Sequence, residues 1–224
     1  MAGRYKHILF DLDGTLTDSA EGVTRSVQYA LHKFGLESTP EELKPFIGPP
    51  LQQSFQNHYG FSESQARQAV SYYREYFREK GIYQNRLYPS VEEMLERLSA
   101  GGARLYVATS KPTVFAEKVL RLFRIEDFFE LVVGSNLDGT RVDKAEVIDY
   151  LLEQINPLDK TETVMVGDRE HDILGAKACG LDSIAVAYGY GTPAELSAAG
   201  PTGTAHSVPE LTELLLSSEN SPEA

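Results

Sequence analysis

Asp11 and Asp13 are two carboxylates with one residue between them, followed by Gly14 and Thr15. They end the run Lys6-His-Ile-Leu-Phe10, which reads as a short buried strand entering a polar turn. Residues two apart at an extended strand end point to the same side, so both carboxylates face one pocket. Paired acids there are material for nucleophilic, acid/base or metal-binding chemistry. The plainer alternative is an acidic capping turn.

A second acidic group lies in Gly167-Asp168-Arg169-Glu170-His171-Asp172. Asp168 and Asp172 are four apart at an expected helix start, a place where the macrodipole also favours acids without any ligand. Thr109 and Ser110 follow another apolar run, where hydroxyls commonly cap the next helix. Lys144 is a candidate cation for such a pocket, with Lys111 and Arg141 as competitors. His171 and Cys179 have no partners at metal-ligand spacing and read as structural.

The elements that must position these residues alternate. Strands are expected at Arg104–Ala108, Phe129–Val133 and Thr163–Val166, each ending in polar residues. Between them lie helical patterns: Ser90 with Glu93 as a capping box, Pro112 at a first helical position, and an apolar face through Val147, Ile148, Leu151 and Leu152. Strand and helix in turn argue for an α/β fold with a parallel sheet, whose ligands bind outside the carboxyl ends of the strands. Residues 18–85 break the pattern and read as helices only, with Val23, Val27, Leu31 and Phe34 on one face and Ala66, Val70, Tyr73 and Phe77 on another. Thr39 with Glu42 and Ser62 with Gln65 are capping boxes within it, and Gly35, Gly60 and Gly81 mark helix ends. The expected organisation is a core of residues 1–17 and 86–224 with residues 18–85 inserted. Tyr188-Gly-Tyr-Gly191 reads as a loop after the last strand, and 217–224 as a frayed tail.

At 224 residues the chain is long enough for a full core. A net charge of -12 repels a polyanion, so no nucleic-acid polymer is expected as a partner. One cysteine forms no internal disulfide, no secretory pattern opens the sequence, and no run approaches the about 18 apolar residues of a membrane span. The expected location is the cytoplasm, and pattern alone assigns no oligomeric state.

Asp11-Leu-Asp-Gly-Thr15 after a first strand resembles the opening motif of the haloacid dehalogenase superfamily, and the similarity extends along the whole chain. The resemblance implies a Rossmann-like three-layer core with an inserted α-helical cap that closes over the site. It implies that Asp11 is the nucleophile of a phosphatase working through an aspartyl-phosphate, and that Asp13 carries the proton. Gly167-Asp168 and Asp172 resemble the family's Gly-Asp-x-x-x-Asp motif, implying magnesium held by Asp11, the Asp13 backbone carbonyl and Asp168, with Asp172 beside them. Thr109 matches the hydroxyl motif, so Thr109, Ser110 and Leu12 are expected to hold phosphoryl oxygens, and Lys144 fits the family's lysine by position. Phe46-Ile-Gly-Pro-Pro-Leu51 resembles a substrate-facing loop of phosphoglycolate-phosphatase-like and bacterial 5'-nucleotidase-like members. Gly48 is thus a substrate-binding candidate, and Arg25 or Arg74 a reader of a second anionic group. The expected partner is a small phosphorylated metabolite, first a nucleoside 5'-monophosphate and then phosphoglycolate. Phosphomutase action and a silent binding module remain alternatives. A dehalogenase is disfavoured by Asp13.

Overall fold

The computed structural model describes residues 3–155 and 159–217. They form two compact units, one of the described residues within 3–16, 88–155 and 159–217, the other of 17–87. In chain order the elements are β1 (His7–Phe10), β2 (Thr17–Asp18), α1 (Ala20–His32), α2 (Leu51–Tyr59), α3 (Glu63–Glu79), β3 (Arg86–Leu87), α4 (Val91–Ala100), β4 (Arg104–Pro112), α5 (Thr113–Phe123) and β5 (Phe129–Ser135). There follow α6 (Lys144–Gln154), β6 (Thr163–Gly167), α7 (Glu170–Ala178), β7 (Asp182–Val186), α8 (Pro193–Ala199), β8 (Gly203–Ala205) and α9 (Val208–Leu216).

The first unit is an α/β fold on a six-stranded parallel sheet ordered β5-β4-β1-β6-β7-β8. Central strands of such a sheet are covered on both faces and must be apolar throughout. Ile8, Leu9 and Phe10 of β1 and Val164, Met165 and Val166 of β6 are fully buried. Leu9, Tyr106, Ala108, Val133 and Met165 pack with Val147, Ile148, Leu151 and Leu152 of α6 and with Ala176 of α7. Their neighbours Ile8, Phe10, Leu105, Val107, Val164 and Val166 alternate with them and face the other layer, where α4 and α5 lie on β4 and α9 lies on α4. The layers are therefore helix, sheet, helix.

The second unit is helical, with a two-residue antiparallel pair, β2 and β3, joining its ends. Asp18, the first residue of the stretch expected to hold helices only, is therefore a strand residue paired with Arg86. Val23, Val27, Ala30 and Leu31 of α1 and Ala66, Ala69, Tyr73 and Phe77 of α3 are buried, and the two helices pack together. Phe34 lies beyond the end of α1, and its ring meets Phe61 in a tilted contact and Tyr72 edge-on, with centroids 4.7 and 6.0 Å apart. Among the described residues no helix is long and apolar enough to cross a membrane.

Local signals fared unevenly. Ser62 and Gln65 form a reciprocal capping box, and Gly60 ends α2 in the left-handed region. Ser90 makes no cap: its φ is 68° and its side chain accepts nothing from the helix. It closes a turn in which Val91 N donates to Tyr88 O, and that backbone turns the hydroxyl away. Pro112 is the residue before α5 and ends β4. Gly81 is a buried residue opening a 3-10 turn, kept small because a β-carbon there would meet Ser26 Oγ at 2.6 Å. Of the expected tail, residues 218–224 lie outside the described residues.

Candidate active site

Phe10 of β1 is level with Val107 of β4 and Val166 of β6, so the residues following all three strands emerge together. Sheet order reverses at β1, which places a crevice at its carboxyl end. Asp11 enters it with its N–H donating to Val166 O at 2.9 Å. Ala108 and Thr109 arrive from β4, and Asp168 follows β6.

Lys144, the first residue of α6, binds the two acidic segments together. Asp143 caps that helix, its carboxylate accepting from Ala145 N, so Lys144 leaves the first turn at a fixed angle. Its Nζ donates to Asp11 Oδ1 at 2.8 Å and Ala108 O at 2.9 Å, and lies 2.7 Å from Asp172 Oδ1. Burial opposes the ammonium, but the carboxylates of Asp11 and Asp172 outweigh it and hold the Lys144 pKa above its ordinary value. Arg141 points elsewhere: it donates to Gly134 O and Asn136 Oδ1 and stacks on Tyr150.

Asp11, Asp168 and Asp172 present carboxylate oxygens within 4.8 Å of one another, all buried. Burial, then the charges of Asp172 and Asp11, push the Asp168 pKa well up. Burial also raises that of Asp172, with Lys144 opposing. Three carboxylates against one ammonium leave an excess of two negative charges in a desolvated place. A small divalent cation preferring hard oxygen ligands fits that deficit and donor set.

Glycines let these carboxylates sit close. A β-carbon on Gly14, whose φ is +95°, would lie 2.2 Å from Asp168 Oδ2, and one on Gly167 would lie 2.2 Å from Asp172 Oδ2. The loop 188–191 is a third wall, a role its sequence did not announce. Tyr190 N donates to Asp168 Oδ2 at 2.7 Å, Gly189 approaches Asp168 where a β-carbon would clash, and Tyr188 OH donates to Thr15 O. The Asp172 carboxylate accepts from Arg169 N at 3.0 Å, and the Arg169 side chain donates to Glu195 on α8.

Asp13 is set apart from the carboxylate trio. Its Oδ2 pairs with Lys111 Nζ at 2.6 Å, both side chains buried. Thr109 is buried, and its Oγ1 accepts from Lys111 N at 3.3 Å. Ser110 O accepts from Ser135 Oγ. Leu12 O accepts turn bonds from Thr15 N and Leu16 N. Gly48 and Arg74 belong to the second unit. Gly48 has a φ of +101° and follows Phe46 and Ile47, which are core residues. Arg74 lies on α3, its pKa lowered first by burial and then by Arg78, and Arg25 pairs with Glu21 at 3.0 Å.

The haloacid dehalogenase-like hydrolase family model matches residues 8–186. A 5'-nucleotidase of Pseudomonas aeruginosa is 50% identical over 200 residues, covering 89% of this chain and 90% of that protein. The tyrosine-protein kinase PtkA of Mycobacterium tuberculosis is 39% identical over 93% of this chain and 72% of its own length. A phosphoglycolate phosphatase of Vibrio vulnificus is 31% identical, over 94% and 96%. Among solved structures, a "predicted phosphatase" from Clostridium acetobutylicum superposes with a TM-score of 0.91 at 46% identity, over 93% of this chain and 97% of that one. The parallel sheet, the level strand ends and these likenesses agree, and the chain belongs to the haloacid dehalogenase-like hydrolase family, as a phosphoric monoester hydrolase.

Proposed function

We propose that the chain hydrolyses small phosphate monoesters through an aspartyl-phosphate on Asp11, nucleoside 5'-monophosphates first and phosphoglycolate second. The observation that carries this is the setting of Asp11, buried at the strand ends with Oδ1 held by Lys144 beside Asp168 and Asp172. A carboxylate oxygen of Asp11 attacks phosphorus while the ester P–O bond breaks, and Asp13 gives its proton to the departing oxygen. Asp13 then takes a proton from water, whose oxygen bonds to phosphorus as the bond to Asp11 breaks, leaving inorganic phosphate. Lys144 offsets charge on the nucleophile and the moving phosphoryl group. The Thr109 hydroxyl and backbone N–H groups of Leu12 and Ser110 hold phosphoryl oxygens. Asp11, Asp168 and the Asp13 carbonyl, with Asp172 adjoining, would hold magnesium, which would neutralise phosphoryl charge.

The name of the Pseudomonas relative supports the first substrate class and that of the Vibrio relative the second. The mycobacterial name favours a second acceptor, a hydroxyl in place of water. Phosphate release is measured from nucleoside monophosphates, phosphoglycolate, sugar phosphates and p-nitrophenyl phosphate, with magnesium and with chelator. Magnesium-dependent release equal to substrate consumed, with a nucleotide leading, is the expected result. Consumption without matching phosphate points to the hydroxyl acceptor, and no turnover of any ester rejects the proposal.

A further inference from the structure

The pairing of Asp13 with Lys111 has a built support. Between Ala108 and Pro112 the strand β4 takes four steps while its partner β5 takes two, from Val133 to Ser135. The extra residues bulge, which re-aims side chains at a strand end. Thr109 Oγ1 accepts from Lys111 N, Ser135 Oγ donates to Ser110 O, and Gly134 N donates to Thr113 Oγ1. Gly134 packs so closely that a β-carbon there would lie 2.1 Å from Lys111 O. The bulge delivers a buried ammonium 2.6 Å from Asp13 Oδ2, while Asp13 Oδ1 is buried with no hydrogen-bond partner among the described residues. A buried polar atom without a partner is costly, so one kept at a strand-end crevice calls for a role.

We propose that Lys111 is the positioning residue of the proton carrier: it anchors Asp13 through Oδ2 so that Oδ1 is the atom that exchanges the proton. In the first half-reaction the Oδ1–H bond breaks, and the proton goes to the ester oxygen as its P–O bond breaks. In the second, a water O–H bond breaks and its proton returns to Oδ1 as the water oxygen bonds to phosphorus. Lys111 touches neither reacting oxygen. It does for Asp13 what an orienting third group does for a general base. This rests on Asp13 being the proton carrier.

The test exploits the leaving group. An alkyl phosphate needs a proton on its departing oxygen, whereas p-nitrophenolate departs without one, so loss of a positioned acid is felt by the first and spared in the second. Lys111→Met should lower single-turnover cleavage of a nucleoside 5'-monophosphate by about 100-fold, the low end of general-acid effects. The first-turnover burst of p-nitrophenolate should stay within about threefold of wild type, and Lys111→Arg should recover at least about tenfold of the alkyl-ester loss. Equal losses on the two esters, no loss on either, or a raised KM with unchanged kcat and weaker inhibition by inorganic phosphate would each overturn the assignment. The last would make Lys111 a phosphate ligand. Should the Met variant not fold, Lys111→Gln is held to the same criteria. A wild-type enzyme that releases phosphate while the variant's two losses are equal rejects only the role of Lys111. A wild-type enzyme that turns over no ester rejects the proposed function as well.

Discussion

Lys144 donates to Asp11 at 2.8 Å from a helix start 133 residues further along the chain. That bond joins the strand-end acid to the Asp172 segment through one ammonium, because Nζ also lies 2.7 Å from Asp172. Removing one partner of a buried ionic set costs about 3–5 kcal/mol. Lys144→Met should therefore lower stability by about that amount in urea melts and reduce kcat by about 100-fold or more. Unchanged values of both would refute its place in the site.

Gly14 admits no side chain, for two reasons. Its φ of +95° lies in the left-handed region, and a β-carbon would fall 2.2 Å from Asp168 Oδ2. Gly14→Ala is expected to displace Asp168 and cut turnover by about 100-fold. Near-normal kinetics for this variant would show that Asp168 does not need its present position.

Charge crowding predicts that stability and cation binding oppose each other. Burial and the neighbouring carboxylates raise the Asp168 pKa, so its ionised form destabilises the metal-free fold at neutral pH. Asp168→Asn should therefore melt at or above the wild-type temperature in chelator. Wild type should gain about 2.7 kcal/mol at a magnesium concentration 100 times the Kd, and the variant should gain little. A variant with full magnesium stabilisation would exclude Asp168 as a ligand.

A pH effect of another origin is expected at the opposite end of the sheet. His7 is buried, stacked on Tyr106 with Nδ1 3.1 Å from its hydroxyl. Burial, then Arg104, lowers its pKa below the ordinary 6.5, with Glu130 and Glu162 opposing. As pH falls through 6.5 the unfolded chain takes up this proton before the folded one, so stability falls until the lower folded value is passed. Melting temperatures from pH 8 to 5 should show that loss in wild type, and His7→Gln should lack it. Parallel curves would assign the acid sensitivity elsewhere.

How far the site was legible differs by residue. Asp11 and Asp168 stand in motifs whose residues are adjacent or nearly so, Lys144 was singled out only by its position along the chain, and the parallel sheet followed from apolar runs ending in polar turns. The Lys111–Asp13 pair was not legible, because it depends on a bulge in β4 that two extra residues create only against β5. The wall at 188–191 was missed for a similar reason: its contribution is a backbone N–H from Tyr190 and the absence of a side chain at Gly189. Ser90 carried a capping pattern, but the turn from Tyr88 fixed a left-handed backbone that no cap can use.

The central claim is that phosphate passes through Asp11. Its most direct test is acid quenching of the enzyme during turnover of a radiolabelled phosphate ester, followed by peptide mapping. The account predicts label on Asp11, lost in Asp11→Asn. Release of phosphate with no labelled protein, or label on another residue, would contradict it.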